Sequence, residues 1–431
     1  MSWRRRTLTL ILLILVLVLA AGALAACEAE PEPGPVGPAG PAGPVGPPGP
    51  AGENATASQE FAGSETCADC HEEIYARFSL AAHPHALPAV SGDEAPAYPY
   101  DSETGGIPGP PEGYTWDDIS YIIGGYGWKA RFVDQNGYLL TGEEGEATQY
   151  NFAYERIDAP AGWVPYHPGE TLEFDCARCH TTGYQPRGHQ DDLEGIVGTW
   201  TFEGIQCERC HGPGSLHAAN PQGVQMVVER DSQLCGDCHL YQDPRTIAAD
   251  DELSFGRHQQ QFGELYNTKH FALSCITCHD PHASANFADE ELNPNQGIRQ
   301  ACENCHWAQT TSKNERHGAV DCIDCHMPPM NFSAQGDPDL FIADVRSHQF
   351  AINPDPNAPQ FSEDGSQVMP YITLTFACKQ CHNDQFAVER ELEELAEMAR
   401  GYHNPQPSAT PTLAPTPTPE GTPEATATTT P

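Results

Sequence analysis

The stretch Cys67-Ala-Asp-Cys70-His71 recurs in pattern seven more times, at Cys176/Cys179/His180, Cys207/Cys210/His211, Cys235/Cys238/His239, Cys275/Cys278/His279, Cys302/Cys305/His306, Cys322/Cys325/His326 and Cys378/Cys381/His382. These are motifs 1 to 8 in chain order. A chain of 431 residues with 17 Cys and 19 His would hold roughly 0.03 such patterns by chance. Cys-x-x-Cys-His is the attachment signature of haem c: two thiols bond to the porphyrin and the next residue lies under the iron. Zinc knuckles and disulfide frameworks also use paired cysteines, but neither accounts for a histidine after every pair. The cofactors expected are eight covalently bound haem c groups, with the eight motif histidines as proximal iron ligands.

The motifs use sixteen cysteines and leave Cys27 over. Motif 1 to motif 8 spans 316 residues, about 40 per haem, in a chain that is only 39% hydrophobic. Porphyrins must then supply much of the buried apolar surface. The fold class expected is a mainly α and irregular multihaem cytochrome c fold, with short helices, long loops and little regular secondary structure. From Cys176 to Cys322, successive first cysteines are 31, 28, 40, 27 and 20 residues apart. Such gaps leave little protein between neighbours, which suits electron hopping.

The flanks read differently. Arg4, Arg5 and Arg6 precede an apolar run from Leu8 to Leu19 that ends in Leu24-Ala25-Ala26-Cys27, the plan of an export signal. The last four residues resemble a bacterial lipobox, so residues 1–26 are expected to be a lipoprotein signal peptide and Cys27 the lipidated residue. Within 27–60, glycine falls at every third position from Gly34 to Gly52. That is either a short collagen-like trimer or an extended spacer of roughly 60 Å. Residues 61–402 are the expected octahaem domain, and 403–431 a Pro/Thr-rich tail without a core. The formal charge of −39 disfavours nucleic acid and anionic surfaces and steers basic redox partners toward the protein. The protein is thus expected to be exported and lipid-anchored at the outer face of a bacterial membrane.

The longest stretch without a motif, about 114–166, is aromatic. Alternation in Trp128-Lys-Ala-Arg-Phe132-Val, then an Asn136-Gly137 turn and Tyr138-Leu-Leu, predicts a small β-hairpin within 119–142. It would cover haems, gate a haem edge or dock a partner. Residues 384–400 carry Val388, Leu392, Leu395 and Met398 at helical spacing and predict an acidic amphipathic helix stopped by Gly401. In motif 1, Thr66 followed by Asp69 reads as a helix start that sets Cys70, His71, Ile74 and Phe78 on one face.

Motif 1, together with the downstream segment Ser79-Leu-Ala-Ala-His83-Pro-His85, resembles the cytochrome c-552/c-554 family, as does Cys207-Glu-Arg-Cys-His-Gly-Pro-Gly-Ser-Leu-His217. The resemblance implies electron transfer and names no substrate. It also implies distal iron ligands at His217, His270, His282, His317 and His348. His189, His258 and one of His83 or His85 complete a set of eight, while His167 and His403 rank last. Eight imidazole pairs would make every haem low-spin, the state suited to electron transfer.

Two functions stay open. The favoured one is a membrane-tethered relay between a membrane redox partner and an external acceptor. The alternative is a multihaem oxidoreductase acting on a small nitrogen or sulfur compound, of the nitrite, hydroxylamine or tetrathionate type, at one five-coordinate haem. In related octahaem enzymes the active haem carries a lysine in place of the proximal histidine, or a crosslinked tyrosine. No motif here ends in lysine; Tyr184 and Tyr241 are the tyrosines nearest after a motif. The C-terminal segment is also too short for the helical bundle of the hydroxylamine oxidoreductase type.

Overall fold

Each motif closes one helical turn in the computed structural model, which describes residues 59–99, 106–250, 255–285, 293–310 and 317–403. The signal segment, Cys27, the glycine repeat and the tail beyond His403 lie outside the described residues. The described residues belong to a unit spanning 58–431. In motifs 1, 4, 5, 6 and 8 the histidine N–H donates to the carbonyl of the first cysteine four residues back, at 2.8–3.0 Å. That single turn brings both thiols and the imidazole to one side.

Helices are short. The longest described is Leu392–Ala399, eight residues. It is half of the amphipathic helix expected over 384–400. Asp384 has φ 65° and Ala387 N–H returns to the Cys381 carbonyl at 2.9 Å, so the residues after motif 8 fold back over their own turn. The helix expected to start at Thr66 begins earlier, at Ser64–Ala68. Thr66 Oγ1 donates back to the Ala62 carbonyl at 2.9 Å and leaves no forward cap. Glu208 fastens this start instead, accepting from Ala62 N and Gly63 N at 2.8 Å each. The second helix, Glu72–Phe78, opens only after His71.

Residues 119–164 form a four-stranded antiparallel sheet, larger than the hairpin expected: β1 (Ile119–Gly124), β2 (Lys129–Asp134), β3 (Gln149–Asn151) and β4 (Gly162–Val164), in that order. The β1–β2 reversal is made by Gly124, Gly125 and Gly127, with φ of 73°, 81° and 110°, conformations open to glycine. The Asn136-Gly137 turn also forms, and pairs Val133 with Leu139 as an isolated bridge.

Strand period sorts β2. Ala130 and Phe132 are fully buried with Ile119, Ile122 and Leu140, while Lys129 and Arg131 share the other face. Beyond the sheet, Val133 and Tyr121 pack with Phe174, Ala177, Ile196 and Trp200, so motif 2 rests on this layer. Two strand pairs are shorter, β5 (Thr181–Thr182) with β6 (Phe202–Glu203), and β10 (Ile352–Asn353) with β11 (Ile372–Thr373).

Between them in sequence, β7 (Gly256–Arg257), β8 (Pro329–Asp337) and β9 (Ile342–Arg346) make a mixed sheet. Its core holds Phe255, Met330, Ala343, Ile372 and Phe376. The two sheets are joined by Asn151 Nδ2 to Ala334 O at 2.9 Å and Trp128 Nε1 to Asp344 O at 3.0 Å. Lys129 Nζ also donates to Ser333 O.

Candidate haem sites and the pocket at motif 2

Imidazoles meet in pairs. His83 and His239 have ring centres 6.3 Å apart, His211 and His282 6.1 Å, His270 and His306 5.9 Å. His279 and His348 are 6.1 Å apart, His317 and His382 6.2 Å, His326 and His403 5.9 Å. Two imidazoles on opposite sides of one metal, with bonds of about 2 Å, put their centres roughly 6 Å apart. Every pair joins one motif histidine to one histidine outside the motifs.

Ring orientation fits the same reading. Nδ1 of His180, His211, His326 and His382 donates to the carbonyls of Ala86, Val227, Phe350 and Val388 at 2.9, 2.8, 2.7 and 2.9 Å. A proton fixed on Nδ1 leaves the Nε2 lone pair for iron. Apolar side chains stand exposed beside the motifs, as Trp307 (71%), Val388 (70%) and Phe271 (65%) do. Nδ1 of His270 and of His403 is buried without a hydrogen-bond partner among the described residues. Planar apolar groups held at the cysteines would cover the exposed apolar side chains, so the donor set and its surroundings fit haem c.

The motif cysteines differ in exposure: Cys70, Cys210, Cys278, Cys302, Cys305 and Cys381 are exposed, and the other ten are half-buried. In motif 6 the turn Cys302–Asn304 is a 3₁₀ turn, and Cys305 falls just outside it with φ −105°. Cys302 and Cys305 are both exposed. In motif 7, Cys325 lies inside the helix Cys322–His326 and is half-buried. It stands beside Cys378 of motif 8, whose thiol is pushed up to about 12 by burial and then by Cys325.

The sequence-ranked histidines separate here. Of His83 and His85, His83 meets a motif imidazole, and burial, then His239, pushes its pKa down to about 4. His85 directs Nε2 to the Ser79 carbonyl at 2.8 Å and stands between Tyr98 and Tyr126. That bond engages the nitrogen an iron would need. His403, ranked last by local context, faces His326, because the chain after Leu392–Ala399 folds back. His167 is exposed beside Glu170 at 3.3 Å. His189 and His217 donate Nδ1 to Ile196 O and Val224 O at 2.6 and 2.7 Å, and among the described residues neither meets a motif imidazole at ligand-pair spacing.

Carboxylates back two of the paired rings. Asp280 lies 3.4 Å from His282 Nδ1 and 3.0 Å from both Arg77 and Arg299. Glu264, fully buried, accepts from Asn331 Nδ2 at 2.9 Å and His348 N at 2.8 Å, and burial pushes its carboxyl up to about 7.

Motif 2 has different company. His258 is half-buried near Lys129, Arg131 and His180, and desolvation first, then Lys129, pushes its pKa down to about 3. Lys129 is pushed down to about 7, mainly by burial and then by Arg131, with Asp344 and Asp250 opposing. Arg131 donates Nε to Gln149 at 2.6 Å and lies 3.9 Å over the ring of Tyr166; it also stands near Cys176 of motif 2 itself. Two half-buried cations thus meet beside a haem site, in a chain with 21 basic and 60 acidic residues. Lys129, Arg131 and Tyr166 were not among the sequence candidates. The signal was present: one of only four lysines alternates with an arginine on a strand whose other face is apolar.

Against known proteins, the family described as cytochrome c554 and c-prime matches residues 164–212, which hold motifs 2 and 3 but not motif 1. The dissimilatory sulfite reductase MccA of Wolinella succinogenes is 23% identical over 69% of this chain and 55% of its own. The multiheme cytochrome MtrA of Shewanella baltica is 24% identical over 33% of this chain and 39% of its own. This chain therefore spans about half or less of the curated relatives it matches. The solved octahaem sulfite reductase MccA of Wolinella succinogenes, form II, superposes with a TM-score of 0.51 at 16% identity, over 80% of this chain and 71% of that one. Eight haem-attachment motifs, imidazoles paired at iron-spanning distance and these relatives converge: the chain is a multihaem c-type cytochrome with an electron-transfer role.

Proposed function

We propose that the chain is an exported octahaem reductase, in which an array of bis-imidazole haems feeds electrons to a pocket at motif 2 that takes a small sulfur or nitrogen oxyanion. The observation that carries this reading is the convergence of the half-buried Lys129 and Arg131 with Tyr166 and His258 beside motif 2. Asp344 and Asp250 offset part of that positive charge, and an anionic guest would be drawn to the rest. The name of the relative that acts on sulfite agrees with that substrate class. Wire and enzyme are then one device, the relay expected from sequence being the supply line of the pocket.

Thioether bonds are assigned to all sixteen motif cysteines, with Cys305 and Cys325 as the second attachment points of haems 6 and 7. Distal ligands are assigned by the pairs: His83 to motif 4, His282 to 3, His348 to 5, His270 to 6, His403 to 7 and His317 to 8. His217 is assigned to motif 1. Its helix, Ser215–Ala219, is tied to Glu60 by Glu60 N to Ser215 Oγ at 2.8 Å. Haem c at these positions supplies electrons one at a time. The chain's own residues do the rest. Arg131, held by Gln149 and stacked on Tyr166, orients the oxyanion through fixed donors. Lys129 Nζ, its pKa lowered to about 7, would pass one proton to a substrate oxygen, which leaves as water once a second proton arrives from solvent and two electrons from the array. The phenol of Tyr166 and the ring of His258 close the pocket. Export, lipidation at Cys27 and a spacer at 34–52 rest on the N-terminal pattern and on haem attachment outside the cytoplasm.

Electron paramagnetic resonance of the oxidised holoprotein, with haem counted, tests this. One high-spin ferric haem per chain, shifted by sulfite or nitrite, is expected beside seven low-spin ones. Eight low-spin haems that ignore both anions would return the protein to a pure conduit.

A further inference from the structure

Strands β8 and β9 fall out of step along the middle of their length. Asn331 pairs with Val345 and Gly336 with Ala343, so Phe332, Ser333, Ala334 and Gln335 stand opposite one residue, Asp344. Bulges re-aim the groups beside them. Asp344 gathers this one: its Oδ1 accepts from Ser333 N at 2.7 Å, and its Oδ2 from Ala334 N at 2.8 Å and Gln335 N at 2.9 Å. Three consecutive N–H groups thus end on a single carboxylate.

The rest of each bulge peptide serves the surroundings of motif 2. The ring of His258 is hydrogen-bonded to the Phe332 backbone, and Lys129 Nζ donates to Ser333 O. Arg131 is held at one remove. Its Nε donates to Gln149 Oε1 at 2.6 Å, Gln149 Nε2 to Asn151 Oδ1 at 2.7 Å, and Asn151 Nδ2 to Ala334 O at 2.9 Å. Ser333, Ala334, Gln149 and Asn151 are all buried, so water does not compete for this linkage. Gln335 fastens the aromatic insert, its Nε2 donating to Phe152 O at 3.1 Å. The ammonium and the guanidinium each spend a donor on these tethers and keep others for a guest.

We propose that Asp344 is the positioning residue of the pocket at motif 2: by gathering the bulge of β8, it sets where His258, Lys129 and Arg131 stand relative to one another. Its carboxylate is spent on backbone N–H groups, so it acts through them and not by meeting the guest. Donors fixed in advance are worth most to a bound anion, and a small misplacement of them is costly. That the three groups meet an oxyanion rests on the function proposed above; the clamp does not.

The test is Asp344→Asn in the haem-loaded full chain, which leaves one acceptor oxygen and sets an amide NH2 against the remaining N–H groups. Hydrogen exchange read by mass spectrometry rises roughly tenfold at 333–335, the worth of one hydrogen bond to a charged group, and rises also at 149–151. Affinity of ferric haem 2 for sulfite or nitrite, by spectral titration, falls roughly tenfold. A bare charge effect has the opposite sign, since losing a carboxylate tightens anion binding. Made on top of Lys129→Met with Arg131→Met, the substitution costs no further affinity, because it acts through those side chains. Unchanged exchange at 333–335, tighter binding, or an equal loss with and without the cations overturns the proposal. If the variant loses haem, Asn151→Ala serves. It cuts the tether of Arg131 alone, so its cost disappears with Arg131→Met and persists with Lys129→Met; a cost that persists in both overturns the proposal. A protein that binds neither anion overturns the proposed function, and exchange then decides the clamp: spread from 333–335 to 149–151 upholds it, and confinement to 333–335 overturns it.

Discussion

Motif 7 and motif 2 are built on opposite plans. At motif 7, His403 faces His326 with ring centres 5.9 Å apart, and five other motif histidines face a second imidazole in the same way. Motif 2 is surrounded by a strand from the one long stretch that carries no motif, and that strand brings Lys129 and Arg131. An iron clasped by two imidazoles is finished as an electron carrier. On the proposed function, a haem beside two half-buried cations is furnished for a negatively charged guest. The difference teaches that the insert, not any departure within Cys-x-x-Cys-His, is what sets one site apart.

Replacing the cations breaks the contrast most severely. Lys129→Met with Arg131→Met lowers turnover of sulfite or nitrite by about 10²–10³-fold for each donor removed, with haem content and the low-spin signals unchanged, as steady-state assays and paramagnetic resonance check. Unaltered turnover would remove motif 2 from the chemistry.

His403→Ala makes motif 7 resemble motif 2 in spin state only. One further haem per chain turns high-spin, while His167→Ala leaves the spectrum as it was. A pH series sharpens the contrast next. Burial holds Lys129 down to about 7, so its ammonium is present below that pH and lost above it. Anion affinity, measured by spectral titration, falls roughly tenfold as pH rises through 7, the worth of one charge-assisted hydrogen bond. Two carboxyls raised by burial, Glu264 to about 7 and Asp344, could add to that fall by becoming negative; Glu264→Gln and Asp344→Asn separate them from Lys129.

The smallest effect is at a paired site. Asp280→Asn removes the carboxylate 3.4 Å from His282 Nδ1. The midpoint of haem 3 rises by the equivalent of roughly 1 kcal/mol and the other seven stay, as potentiometry resolves.

The sequence declared the motifs outright, because haem attachment needs fixed residue types at fixed spacing along the chain. It could not say that Cys305 would stand in the open while Cys325 sits against a neighbouring motif, since spacing carries no information about what packs on a thiol. The sparse, short-helix fold followed from having so little protein per porphyrin. Distal ligands are another matter. His282 lies three residues after His279 yet faces His211, so closeness in sequence misleads about which iron a ring serves. His403 looked like tail until the chain's return after Ala399 placed it. Lys129 and Arg131 alternate with buried residues in plain view, but only the folded sheet brings them to His258 and motif 2. The turn at Gly124 to Gly127, rather than Asn136-Gly137, sets the register that does so.

The clasp made by Glu208 bears on how the protein matures. Its carboxylate accepts from Ala62 N, Gly63 N and Gly214 N, so the start of motif 1's helix is secured by a residue from motif 3. Synthesis from the N-terminus presents motif 1 first, before the residue that fastens it. Cofactor attachment can therefore run along the chain as it appears, whereas closure runs across it, and the last described residue, His403, completes a site whose own motif came out long before. A product cut short near its end would carry all eight porphyrins and still betray itself by the spin state of one.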